Sequence, residues 1–264
     1  MATSLQTLIP LLSSIALLLT LADTVLGKKS STSFAFDFSG EKPTDLTYQG
    51  DAHFPTDTAI LRLTRTDDFG NAQSLSIGRV VYSKPVTFSD KKKQANFQTT
   101  LKFIIKRNNG DEEPPADGLV FFIAPVNSAV AAPGGSFGVF DESGKNPSVF
   151  AVEFDIFVND IFDPTYRHVG IDIQSQISSN VTEVGGDAMI GQEVTAVIGY
   201  DAATKLISVH GTAGGKSFEV SYVYDLSTLL PQLVEVGISA ATGGDVAVHD
   251  VISWSFDSDV VHVK

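Results

Sequence analysis

Phe150-Ala-Val-Glu-Phe-Asp-Ile-Phe-Val-Asn-Asp-Ile-Phe-Asp-Pro-Thr-Tyr-Arg-His168 is the stretch on which the reading of this chain turns. Phe150, Val152, Phe154 and Ile156 alternate with Ala151, Glu153, Asp155 and Phe157. Strand side chains have period two, so the first set faces one side of a sheet and the second set the other. Glu153 and Asp155 then stand side by side on one face. The chain turns through Asn159, Asp163 and Pro164 and returns at His168. A lone Glu-x-Asp on a strand is ordinarily a solvated face. Here two carboxylates are joined by an amide, a third carboxylate and an imidazole, and without a cation that crowding is repulsive. Hard oxygen donors suit calcium, and an imidazole beside them suits a transition metal. The stretch predicts a divalent-cation site, and two ions with Asp155 and Asp163 between them.

Outward from this stretch the pattern is all strand. Phe34 to Phe38 alternates, as do Phe97, Thr99, Leu101, Phe103 and Ile105 against their polar neighbours. Gly118 to Ala124 is continuously apolar, as in a central strand covered on both faces. Val194 to Tyr200, Leu206 to His210, Phe218 to Tyr224, Val234 to Ala240 and Val251 to Phe256 continue the series. Asn108 to Pro115 and Asp201 to Lys205 read as loop and turn. One helical turn is expected near Leu226–Leu230, stopped by Pro231. Short strands between turn signals, with no long helix, predict an all-β sandwich.

Composition sets limits. The chain has 264 residues, no cysteine and a net charge of −13. Residues 1–27, with the apolar run Leu8–Leu21 and small residues near Gly27, read as a secretory signal peptide, although no Lys or Arg precedes the run. Removing it with its one acidic residue, Asp23, leaves −12. Residues 28–264 suit one large β domain that buries its core without staples. An acidic surface argues against nucleic acid or anionic membrane as partner. No later stretch is apolar enough to span a membrane. The expected location is the secretory pathway, extracellular or vacuolar.

The run Val152–Ile173 resembles the legume lectin family. So do Ser76–Ser83, Ala116–Pro125 and His249–Phe256, in family order. The resemblance implies a jelly-roll β-sandwich and a secreted plant lectin that binds glycans through calcium and manganese. It implies Glu153, Asp155, Asp163 and His168 at the manganese position, with Ser178 reaching it through water. It implies Asp155, the Phe157 carbonyl, Asn159 and Asp163 at the calcium position. It implies Asp117 as the sugar-binding aspartate after a cis Ala116–Asp117 bond. Gly135 would offer its amide, Asn159 its NH2 and Phe157 an aromatic plate, with Gly244 and Asp245 completing the contacts. Each of these has an everyday alternative as loop aspartate, turn glycine or core phenylalanine.

The last loop has five residues between Gly243 and His249, a length that resembles mannose- and glucose-binding members more than galactose binders. Asn180-Val-Thr182 is the one glycosylation sequon, since Pro147 follows Asn146. Family resemblance also implies a homodimer or homotetramer. His53, His210, His249 and His262 read as surface or packing residues, and Trp254 as core.

Three competing readings carry weight. A sandwich-fold glycoside hydrolase would use Glu-x-Asp-x-x-Glu, but position 158 is Val. A lectin-like defence protein without sugar binding would lack parts of the metal set. A receptor-kinase ectodomain would continue into a membrane span. The expectation is a binding protein and not an enzyme.

Overall fold

The computed structural model describes residues 31–56, 60–108 and 113–263. The expected signal peptide lies outside the described residues, as do 109–112 of the predicted loop. The described residues form sixteen strands: β1 Ser31–Asp37, β2 Leu46–Gly50, β3 Leu61–Arg62, β4 Ile77–Tyr82, β5 Val86–Thr87, β6 Ser89–Asp90, β7 Lys93–Lys106, β8 Gly118–Pro125, β9 Lys145–Asp155, β10 His168–Ser175, β11 Asn180–Glu183, β12 Glu193–Asp201, β13 Leu206–Ala213, β14 Lys216–Val223, β15 Leu233–Ala241 and β16 Val248–His262. Two single 3₁₀ turns, Gly134–Ser136 and Leu226–Thr228, are the helical content among them. The second is the turn expected before Pro231. Asp225 caps it, its carboxylate accepting from the Ser227 amide.

The strands pair antiparallel into two sheets. The back sheet runs β1-β16-β7-β12-β13-β14, and the front sheet runs β11-β10-β9-β8-β15-β4-β2. The alternation in the sequence fixes what lies between them. Phe97, Leu101, Phe103 and Ile105 of β7 meet Phe121 of β8 and Phe150, Val152 and Phe154 of β9 in one core. Phe97 stacks on Phe256 at 5.9 Å, and Phe103 meets Phe154 edge-on at 5.0 Å. Trp254 is buried there and donates its indole N–H to Thr99 Oγ1 at 2.9 Å. Burying each such ring is worth roughly 1.5–3 kcal/mol.

The front sheet is also covered on its other face, away from the back sheet. Val120, Phe122 and Ala124 of β8 and Ala151 of β9 pack there against Phe137, Val139 and Phe140. This second core explains the unbroken apolar run in β8, which is central in its sheet. It leaves two polar ends on that outer face. One, on β9 and β10, carries the candidate site.

Candidate metal and ligand site

On β9 the register places Phe150, Val152 and Phe154 in the main core and Ala151, Glu153 and Asp155 on the outer face of the front sheet. The antiparallel partner β10 sets His168 opposite Asp155, Gly170 opposite Glu153 and Asp172 opposite Ala151. Glu153, Asp155 and His168 are all buried and present ligand atoms within 4.8 Å of one another. His168 Nε2 lies 2.9 Å from Glu153 Oε1. Burial alone would lower the His168 pKa, but the hydrogen bond and charge of Glu153 outweigh it and raise the pKa.

After Asp155 the chain forms a tight loop held by the expected residues. Asp155 Oδ1 accepts from the Phe157 amide at 2.7 Å. Asp163 Oδ2 accepts from the Asn159 amide at 2.7 Å, and the Asn159 carbonyl accepts from the Asp163 amide at 2.9 Å. Burial raises Asp163 to about 6, with the Glu153 charge adding to the rise. Burial raises Asp155 well above the ordinary carboxylate range, and Glu153 and Asp163 push it further. Asn159 Oδ1 is buried with no hydrogen-bond partner among the described residues. Packed carboxylates whose mutual charge and burial disfavour ionisation, together with an unpaired buried amide oxygen, are the donor set a divalent cation would complete. The residues therefore fit the metal-site expectation.

Ser178 touches this cluster directly. Its Oγ lies 2.6 Å from Glu153 Oε1 and 2.6 Å from Asp172 Oδ1. One hydroxyl hydrogen serves only one of them, so the other contact needs a carboxyl proton. Asp172 is the group that burial, and then the Glu153 charge, push far up. Sequence reasoning missed Asp172. The even spacing of His168, Gly170 and Asp172 on one strand is the signal that would have found it. Gly170 makes the contact possible: a Cβ there would sit 2.0 Å from Ser178 Oγ and 2.6 Å from Glu153 Oε1.

Asp117 enters the same rim from the start of β8. Its amide donates to the Ala241 carbonyl at 3.1 Å, and its carbonyl accepts from the Ile156 amide at 3.0 Å. The Ala116–Asp117 bond is cis, as the resemblance implied. The carboxylate is buried, and Oδ2 has no hydrogen-bond partner among the described residues. Burial lifts its pKa to about 7; the Gly243 amide opposes the rise, and the charges of Asp245 and Asp163 add to it.

Glycines keep the approach open. A Cβ on Gly243 would lie 3.2 Å from Asp117 Oδ2, and one on Gly134 would lie 3.9 Å from either oxygen. A Cβ on Gly135 would lie 3.1 Å from Asn159 Oδ1 and 3.2 Å from Phe162 Cζ. Asp117, Gly135 and Asn159 are thus brought together, and Asp245 is close enough for its charge to reach Asp117. Gly244 has no neighbour within 4 Å of where its Cβ would be.

Phe157 lines a cleft of about 510 Å³ with Pro114, Tyr166, Arg167 and Val184, and the ring of Phe162 lies against Gly135. Gly134, Gly243 and Phe162 were not foreseen as site residues. Asn180 is exposed and donates from Nδ2 to the Ser221 carbonyl at 2.8 Å. His249 is buried 3.1 Å from Thr64 Oγ1, a packing residue as expected.

A two-sheet β sandwich with a buried carboxylate–imidazole cluster and a glycine-flanked aspartate on one rim defines a binding protein. The family model of the legume lectin domain matches residues 31–264. Agglutinin-2 of Cladrastis kentukea is 38% identical over 96% of this chain and 89% of that protein. The mannose/glucose-specific lectin of Centrolobium tomentosum is 36% identical over 88% of this chain and 97% of that protein. The solved structure of winged bean acidic lectin complexed with methyl-alpha-D-galactose superposes with a TM-score of 0.79 at 34% identity, covering 88% of this chain and 99% of that one. The chain belongs to the legume lectin family. It is a carbohydrate-binding protein and not an enzyme.

Proposed function

We propose that this protein is a secreted lectin, dependent on calcium and manganese, that binds a pyranose on glycans and prefers mannose or glucose to galactose. The observation that carries the reading is Asp117: a buried carboxylate with an unpaired oxygen, reached past Gly134 and Gly243, beside Gly135 and Asn159. Two adjacent sugar hydroxyls would donate to Asp117. The amides of Gly135 and of the Gly244–Asp245 loop, with the Asn159 NH2, would donate to sugar oxygens. Phe157 would cover the apolar face of the ring, with Gly135 seated on Phe162 behind it.

Glu153, Asp155, Asp163 and His168 would hold manganese, with Ser178 on one of its waters. Asp155, the Phe157 carbonyl, Asn159 and Asp163 would hold calcium. The cations would supply positive charge beside Asp117, favouring its ionised, hydrogen-bond-accepting form, and would offset the mutual repulsion of the packed carboxylates.

The sugar preference rests on the short loop after Gly243, and relatives' names point both ways: one is called mannose/glucose-specific and another was solved with methyl-alpha-D-galactose. The site is shallow, so monosaccharide affinity is expected near millimolar, on the order of −4 kcal/mol. Avidity would come from several sites on a homodimer or homotetramer engaging one glycan-coated surface. Cleavage of residues 1–27, glycosylation at Asn180, an extracellular or vacuolar location and a role in plant defence belong to the same reading.

Calorimetric titration of metal-loaded protein with methyl mannoside and methyl galactoside tests it. Binding of mannoside, and its loss in Asp117→Ala, is expected. Heat with galactoside alone refutes the preference, and wild-type affinity in Asp117→Ala refutes the site.

A further inference from the structure

The outer face of the front sheet has a second polar end, on β15, β4 and β2. The register Thr47↔Val81, Gln49↔Arg79 and Gly237↔Val81 sets Thr47 and Gln49, Arg79 and Val81, and Glu235 on that face. Thr47, Gln49, Val81, Ser83, Asn127 and Glu235 line a cleft there of about 340 Å³.

Its floor is charged but balanced. Arg79 Nη2 donates to Glu235 Oε1 at 3.1 Å, and the Asn127 amide donates to Glu235 Oε2 at 2.8 Å. The Ser128 hydroxyl also donates to Oε1. Arg79 is only 1% exposed; its Nη1 donates to the Ala129 carbonyl at 2.7 Å, and its guanidinium lies 4.5 Å over the Phe122 ring. Two polar atoms remain. Arg79 Nε and Gln49 Oε1 are buried with no hydrogen-bond partner among the described residues. One is a donor and the other an acceptor, and their residues are direct cross-strand partners. Gln49 lines the cleft; a hydroxyl accepts from an N–H and donates to a carbonyl oxygen, so a hydroxyl that reached both atoms would satisfy them.

We propose that this cleft is a second ligand site, separate from the Asp117 site, for a small neutral polyhydroxylated molecule: a cyclitol or a single sugar ring. The volume is at the lower end of ligand pockets and suits one ring. Arg79 cancels the Glu235 charge, which removes the basis for attracting an ionic ligand. Val81 supplies apolar surface for C–H groups, while Thr47 and Ser83 offer further hydroxyl partners at the mouth.

The test uses folded Asp117→Ala, so that the principal site does not contribute. It is titrated with myo-inositol and with methyl mannoside to about 50 mM and followed by backbone amide shifts. Saturable shifts at Gln49, Val81 and Asn127 are expected. Gln49→Leu should weaken them about tenfold, and Thr47→Val, at an exposed position, should weaken them in the same direction. Neither change should alter sugar binding at Asp117 in the otherwise wild-type protein, which separates this site from the principal one. Silence of those amides with both probes overturns the proposal. So does a crystal soaked with either probe in which a structural water only bridges Arg79 Nε and Gln49 Oε1.

Discussion

Cation affinity should fall steeply with acid, because the ligands must release protons before they bind metal. Burial raises Asp163 to about 6 and Asp155 well above the ordinary carboxylate range. The cation binds the deprotonated form, so affinity is complete above these values and declines below them. Asp163 alone is roughly one-tenth protonated at pH 7 and nine-tenths protonated at pH 5, which weakens binding about tenfold. Asp155 adds to that loss, so the affinity should fall by more than the tenfold from Asp163 alone. Calorimetric titrations with calcium and with manganese at pH 5, 6 and 7 measure the affinity. Running each in two buffers of different ionisation enthalpy counts the protons released. Roughly half a proton or more should leave at pH 6. Equal affinity at pH 5 and pH 7, with no proton released, would refute the reasoning.

Three further outcomes follow from the geometry. Gly170→Ala drives a Cβ to within 2.0 Å of Ser178 Oγ; metal analysis should show manganese affinity reduced by roughly ten- to hundredfold, as for lost outer partners of other metal ligands. Asp117→Ala should remove sugar binding, whereas Asp245→Ala, acting on Asp117 through charge, should only shift the ratio of affinities in a glycoside panel. His249 is pushed down to about 4 by burial, so the folded state holds it neutral while the unfolded chain protonates it near 6.5. Its stabilisation is full above pH 6.5 and is lost as pH falls toward 4; the stability gap between wild type and His249→Gln should shrink by roughly 2–3 kcal/mol from pH 7.5 to 4.5 in urea titrations, and a constant gap would count against it.

The carboxylate–imidazole cluster was legible because its residues are close in sequence and a period-two strand leaves no choice of face for Glu153 and Asp155. His168 sits opposite Asp155 across a single antiparallel pair. The long strands were legible for the same reason, and β8 by its unbroken apolarity. The rest of the rim was hidden because it is assembled across the sheet. Gly243 meets Asp117 from the end of β15, and Gly134 arrives from the 3₁₀ turn after β8. Both look like ordinary turn glycines until the register is known. Arg79 and Glu235 are far apart in sequence and pair only because β4 and β15 are neighbours. The short strands β2 and β11 carry too few buried residues to show a period.

The position of β16 has a consequence in time. The last strand of the domain lies between the first strand and the seventh, pairing Phe34 with Phe256 on one side and Thr99 with Phe256 on the other. On the ribosome, β1 and that edge of β7 must wait for residues 248–262 before they find their partner. Until then the back sheet is split and the phenylalanines of both pieces face water or a chaperone. Non-local closure of this kind is slow and exposes the chain to aggregation. The sole tryptophan, Trp254, is part of the late strand and ends buried against Thr99. During synthesis its burial therefore comes only after residues 248–262 have emerged, when the back sheet can close.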